Sequence, residues 1–435
     1  MLGTRRQVMA GLAAGLALAP FGAVRAAETP DAARVIHDWY RLVLELVRHT
    51  PTATPPMASR ALAIIGVTAW ESVVPAGGRS LAGQLNGLTA LSARPDGLDD
   101  AAVLHAALSV CVSTCFANTG PTGQRATAVM IERLGMRVNG TIAPDVAVAC
   151  AAHGRAVADH VAAWAATDGG AVITNMGFPE TWAVAEAASD WVPTSLVRMQ
   201  QAPLLPHWGE NRPFAMPAGA PCGLPPPPEY SEDPASAFYL EAKEVYDTTR
   251  ALTDEQKMIA RFWADDPMLS TTPPGHWISI AMQVLEAGNA PAARRAEVLA
   301  MVGITVADAF IACWQAKYQY DLLRPITYIK RVIDKTWEPL LITPPFPEYP
   351  SGHSTQSGAA AEVLTHLFGA NTPFSDSTMS GDGLPGRDFP DFWAAANEAG
   401  ISRLYGGIHF RSAIARGLEQ GRCVAAHTLR LQMRA

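Results

Sequence analysis

A chain of 435 residues is long enough for about two or three domains, and a hydrophobic share of 49% excludes a disordered protein. The formal charge of −7 argues against broad nucleic-acid binding, so clustered cations are local tools rather than a general coating.

At the N-terminus, Arg5 and Arg6 precede an apolar run from Val8 to Val24. Val24 and Ala26 are small residues at the positions that precede a cleavage point. Residues 1–26 read as an export signal of the twin-arginine type, which predicts a periplasmic or secreted protein. A membrane anchor is the other reading; Pro20, the glycines and the short length of the run weigh against it. No later run is expected to cross a bilayer.

Apolar residues recur at helical spacing over 57–74, 101–117, 143–166, 252–264, 276–287 and 295–316. Few stretches alternate as a half-buried strand does, so the chain reads as all-α. Cys111 and Cys115, four apart, share a helix face, and no tight group of Cys and His marks zinc. Most of the cysteines are expected as buried apolar residues, and disulfides are open to an exported chain. Residues 202–234, rich in Pro and Gly, predict an ordered connector between helical domains at 27–201 and 235–435. Residues 371–390, rich in Ser, Asp, Gly and Pro, predict a lid or a pocket rim.

The candidate chemistry lies in the last part of the chain. "TTPPGHWISIAM" sets Gly275–His276 at a helix start, where His276 reads as a capping or pocket-lining residue. In "AKYQYDLLRPI", Lys317 and Arg324 are seven apart, on one face of a continuous helix, with Pro325 placing Arg324 at the helix exit. The plainer reading is a solvated basic pair beside Asp321. In "EYPSGHSTQSGAA", Ser351 is either an ordinary cap or part of an anion site. For the second, the helix N-terminus offers free N–H groups, Gly352 admits an oxyanion close to the backbone, and His353 exchanges a proton. In "ISRLYGGIHFRSAIARGLEQGR", Arg403 and His409 are six apart, and Gly406–Gly407 permits a turn that brings them together. Taken singly, His409 reads as a core histidine. Together, three cations, two neutral donors and two imidazoles suit a tetrahedral oxyanion and not zinc or calcium.

These islands also resemble a known family. Lys, six residues, Arg-Pro; then Pro-Ser-Gly-His; then Ser-Arg, five residues, His is similar to the signature of vanadium-dependent haloperoxidases. The related acid phosphatases and type-2 phosphatidic acid phosphatases share it. "TPPFPEYPSGH" also looks like soluble members of the haloperoxidase branch. The resemblance implies an all-α fold of two helical bundles, vanadium-chloroperoxidase-like, with the active site in the C-terminal bundle. It implies vanadate as cofactor, with phosphate able to take the same place. Lys317, Arg324, Ser351, Gly352 and Arg403 would hold the equatorial oxygens, and His409 would be the covalent ligand to vanadium. His353 would be the acid–base residue and Lys317 would polarise bound peroxide. Hydrogen peroxide and a halide would be the substrates, with an organic acceptor as a further partner. Phe346 falls where chloride-oxidising members have phenylalanine. The resemblance leaves two alternatives: an acid phosphatase with His409 as nucleophile, and a non-catalytic oxyanion-binding protein. One position departs from the signature. Ala413 stands where the family has an aspartate that would orient the histidine. Unless another acid fills that space, its loss favours His409 as a cofactor ligand over His409 as a nucleophile.

Overall fold

In the computed structural model, residues 31–434 are described, apart from 76, 181, 184 and 185. The export signal expected at 1–26 lies outside the described residues. Thirteen α-helices carry the fold among those described: α1 Ala32–His49, α2 Pro55–Ser72, α3 Asp100–Cys115, α4 Pro121–Asn139, α5 Pro144–Ala165, α6 Ala237–Arg250 and α7 Asp254–Phe262 come first. They are followed by α8 Thr272–Ala287, α9 Ala292–Tyr320, α10 Pro325–Val332, α11 Gly352–Phe368, α12 Phe392–Tyr405 and α13 Arg411–Thr428. Among the described residues, one antiparallel hairpin of β1 Phe374–Asp376 and β2 Arg387–Phe389 interrupts the helices.

The central element is α9, apolar on all sides and buried along its length. By length and composition it could cross a membrane, contrary to the expectation that no later run could; the structure instead buries it as the core helix. It packs against α2, α11 and α13. One hydrophobic core therefore runs from Val35 to Met433, and the halves expected at 27–201 and 235–435 share it. The connector is bound to α9 as well. Buried Asp308 accepts the backbone N–H groups of Phe214, Ala215 and Met216 at 2.6, 2.8 and 2.7 Å. A Cys222–Cys423 disulfide ties the same connector to α13, while Cys111, Cys115, Cys150 and Cys313 are free.

A second cluster, including Phe238, Tyr328, Tyr349, Leu404, Phe410 and Ala413, lies outside the first. The signature islands fall along the seam between the two. Backbone contact of α11 with α13 fixes the spacing there. A Cβ on Gly421 would lie 2.2 Å from the Thr355 carbonyl oxygen, and one on Gly358 would lie 2.7 Å from that of Leu418. Gly421→Ala must push the two helices apart, and we expect a loss of about 1–3 kcal/mol or more in chemical denaturation. An unchanged denaturation midpoint would contradict so close an approach.

Candidate active site

Each island reaches the site by a local rule. Asp321 adopts a left-handed φ of 41° and ends α9. The residue before a proline is driven out of helical conformation, and Arg324 is extended (φ −81°, ψ 155°) as the N-cap of α10. Lys317 and Arg324 thus do not share one helix face; the turn at 321–324 brings them together. Ser351 is both cap and site residue, since its hydroxyl accepts the Ser354 N–H at 3.3 Å while the residue is fully buried. A Cβ at Gly352 would rest at ordinary contact distance from Trp314, Cys313 and Phe310, so packing alone does not require glycine there. Arg403 closes α12, the chain turns at Gly406–Gly407 with φ 76° at Gly407, and His409 follows just before α13.

The side chains converge. The Arg324 guanidinium donates to the carbonyls of Phe346 and Ile408 at 2.8 and 2.9 Å and touches His409 Nε2 at 3.2 Å. Arginine only donates, so His409 Nε2 accepts and the ring proton sits on Nδ1. Nδ1 lies 2.8 Å from Glu348 Oε1, which also accepts the Phe410 N–H at 2.8 Å. Arg403 donates to the Trp263 carbonyl at 2.6 Å. His353 Nε2 faces Asp265 Oδ2 at 3.8 Å.

Lys317 also has a structural role. Its ammonium donates to the carbonyls of Pro347, Glu348 and Pro350 at 2.8, 2.9 and 2.5 Å, so all three protons are taken. It braces the turn that carries Ser351 and adds charge to the site. Phe346 also belongs to the scaffold. Its ring packs on Trp314 at 4.9 Å and lies under Arg324 at 4.9 Å and Lys317 at 5.2 Å.

Burial and crowded positive charge set the protonation states. Burial lowers Lys317 to about 7 and Arg324 and Arg403 to about 10, so both guanidiniums stay charged at neutral pH. Burial, then Arg324 and Lys317, hold His409 well below the usual histidine range. Burial, then Arg403 and His276, do the same for His353. Both imidazoles are therefore neutral, and His409 Nε2 has a lone pair to give.

Over nearly its whole length the chain matches a solved structure reported as the first bacterial vanadium-dependent iodoperoxidase. The two are 36% identical with a TM-score of 0.85, over 93% of this chain and 97% of that one. This chain belongs to the vanadium-dependent haloperoxidase family. The family model for the VCPO second helical-bundle domain matches residues 297–336 and 332–435, which hold every signature residue. The vanadium chloroperoxidase of Curvularia inaequalis is 24% identical over 214 residues, 34% of this chain and 35% of that protein, so the match spans about a third of its length. A holo-type bacterial vanadium-dependent chloroperoxidase shares the fold at 15% identity and a TM-score of 0.66.

Within a haloperoxidase fold, the residues present fit vanadate. Arg324 Nη2 and Arg403 Nε are buried N–H groups without a hydrogen-bond partner, and such donors are costly unless an acceptor meets them. The departure at Ala413 is also explained. Ala413 is fully buried in α13, its carbonyl accepts the Ser351 N–H at 3.0 Å, and Glu348 supplies the carboxyl group from a different element. Sequence reasoning did not name Glu348; the available signal was a lone acid among prolines and aromatics in "TPPFPEYPSGH". Ala413→Asp would bury a second carboxylate where the first already serves. We expect it to destabilise the protein by about 1–3 kcal/mol or more, with no gain in phosphatase rate. A stable variant with raised phosphatase activity would contradict the assignment of Glu348.

Proposed function

We propose that this protein oxidises halide with hydrogen peroxide in a vanadate-dependent reaction, with iodide the most readily oxidised substrate. The observation that carries the reading is the pair of unpartnered buried guanidinium N–H groups beside a neutral histidine whose Nε2 lone pair faces Arg324. Vanadate, when bound, supplies the activation of peroxide toward attack by halide. The chain supplies the rest. Arg324 and Arg403 hold anionic oxygens, Lys317 adds positive charge behind them, and the Ser351 hydroxyl and Gly352 N–H are neutral donors. His409 would give its Nε2 lone pair to the metal, and Glu348 keeps that nitrogen unprotonated by holding the proton on Nδ1. His353 moves the proton. Likeness to the iodoperoxidase supports iodide.

One observation favours a second reading. Ala413 had spoken against His409 as a phosphate-accepting nucleophile, but Glu348 supplies the missing carboxyl group. An acid phosphatase on soluble phosphomonoesters therefore stays the rival. Iodide oxidation with peroxide and vanadate, compared with hydrolysis of p-nitrophenyl phosphate by vanadate-free protein, separates them. We expect the first and little of the second; hydrolysis without halide oxidation would reverse the conclusion. Export to an oxidising compartment is part of the same proposal, and the Cys222–Cys423 disulfide supports it.

A further inference from the structure

His276, expected to cap a helix or line a pocket, does neither. It is fully buried near the start of α8. Its Nδ1 lies 2.9 and 3.1 Å from the two oxygens of Asp265, and its Nε2 lies 2.7 Å from Asp376 Oδ2. Carboxylate oxygens accept, so both ring nitrogens donate and the ring is an imidazolium. The Trp263 ring stacks flat on it, with centroids 4.4 Å apart at 16°, a favourable seat for a cation. Burial opposes the charge, and Asp265 and Asp376 outweigh it, raising His276 to about 10. Asp376 is held in turn by the Thr378 N–H at 2.9 Å. The segment 371–390, expected as a lid or rim, is thus tied to the buried His276 by Asp376, and its Ser377 and Arg387 bond Gln283 and Glu398.

The row ends at the active site. Asp265 Oδ2 is 3.8 Å from His353 Nε2, a buried nitrogen that makes no close hydrogen bond, and the Trp263 backbone also faces the ring. A shift of about 1 Å brings the pair to hydrogen-bond distance. We propose that the row Asp376–His276–Asp265 positions His353, holding Asp265 as the acceptor for an Nε2 proton so that the lone pair stays on Nδ1. His276 and Asp376 are positioning residues that act through Asp265. Fixing the tautomer matters because a proton-transfer residue works from one nitrogen, and a ring free to exchange tautomers presents the wrong one part of the time. This rests on the reading of His353 as the proton-transfer residue.

Long-range proton–nitrogen NMR of the imidazoles tests it on vanadate-free protein, with signals assigned by their loss in His353→Gln and His276→Gln. The parent should show His276 protonated on both nitrogens and His353 neutral with its proton on Nε2. In Asp376→Asn and His276→Gln, His353 should lose its single tautomer. After loading with vanadate, kcat for iodide oxidation should fall by about 10- to 100-fold in both, with vanadate affinity unchanged. A proton on His353 Nδ1 in the parent, a neutral His276, or an unaltered tautomer in both variants would overturn the proposal. If neither variant folds, the parent spectrum still decides from the His353 signals, assigned by their loss in His353→Gln. A parent that oxidises no halide would sink the haloperoxidase reading, while the same spectra judge the positioning row independently.

Discussion

His353→Ala will lower kcat for peroxide-dependent iodide oxidation by about 10²–10⁴-fold, the range for loss of a general acid–base. The ring is neutral, partly open at 14% side-chain exposure, and beside the charges of Arg403 and Lys317. It can take up a proton only transiently, which suits a shuttle and not a permanent cation. None of the groups that would hold vanadate depends on it: Arg324, Arg403 and His409 are fixed by Phe346, Ile408, Trp263 and Glu348. Vanadate affinity should therefore stay close to that of the parent. An unchanged kcat, measured with vanadate saturating, would remove His353 from the mechanism.

Glu348→Ala is expected to act on the opposite quantity. Glu348 Oε1 receives two buried donors, the His409 Nδ1–H and the Phe410 N–H. Without it, both lose their acceptor, at a cost of about 1–3 kcal/mol in stability. The His409 proton is then free to move to Nε2, where it blocks the lone pair. Vanadate affinity should drop by about 10- to 100-fold, as for other partners of metal-bound histidines. Burial raises Glu348 to about 8, so much of its work at neutral pH is acceptance and not charge. Glu348→Gln keeps an accepting oxygen and should retain most of the affinity. Equal affinity in parent and alanine variant, measured by vanadate titration, would show that Glu348 does not set the His409 tautomer.

The local chemistry of the site was legible where it followed from short-range rules. The proline and serine that open α11 and the Gly406–Gly407 turn behaved as their types predict. Lys317 and Arg324 were misplaced on one face because helical periodicity gives no warning of a left-handed residue at Asp321. Glu348 and His276 were missed or underrated for a different reason. Glu348 meets a residue 61 away and His276 joins one 11 away to one 100 away, and only tertiary packing brings such groups together. Ala413 shows the same limit in reverse: an absent carboxylate in the sequence was not an absent carboxylate in the site. The shared core could not be read either, since apolar spacing in α9 marks burial without naming α2 as the partner.

Vanadium bound and iodide oxidised, measured on the same samples as vanadate is titrated into vanadate-free protein, bear most directly on the function. Both should rise together and level off at one vanadium per chain, and His409→Ala should shift both curves to much higher vanadate. Tight vanadate binding with no iodide oxidation at any loading would contradict the haloperoxidase reading, as would oxidation that proceeds without vanadium.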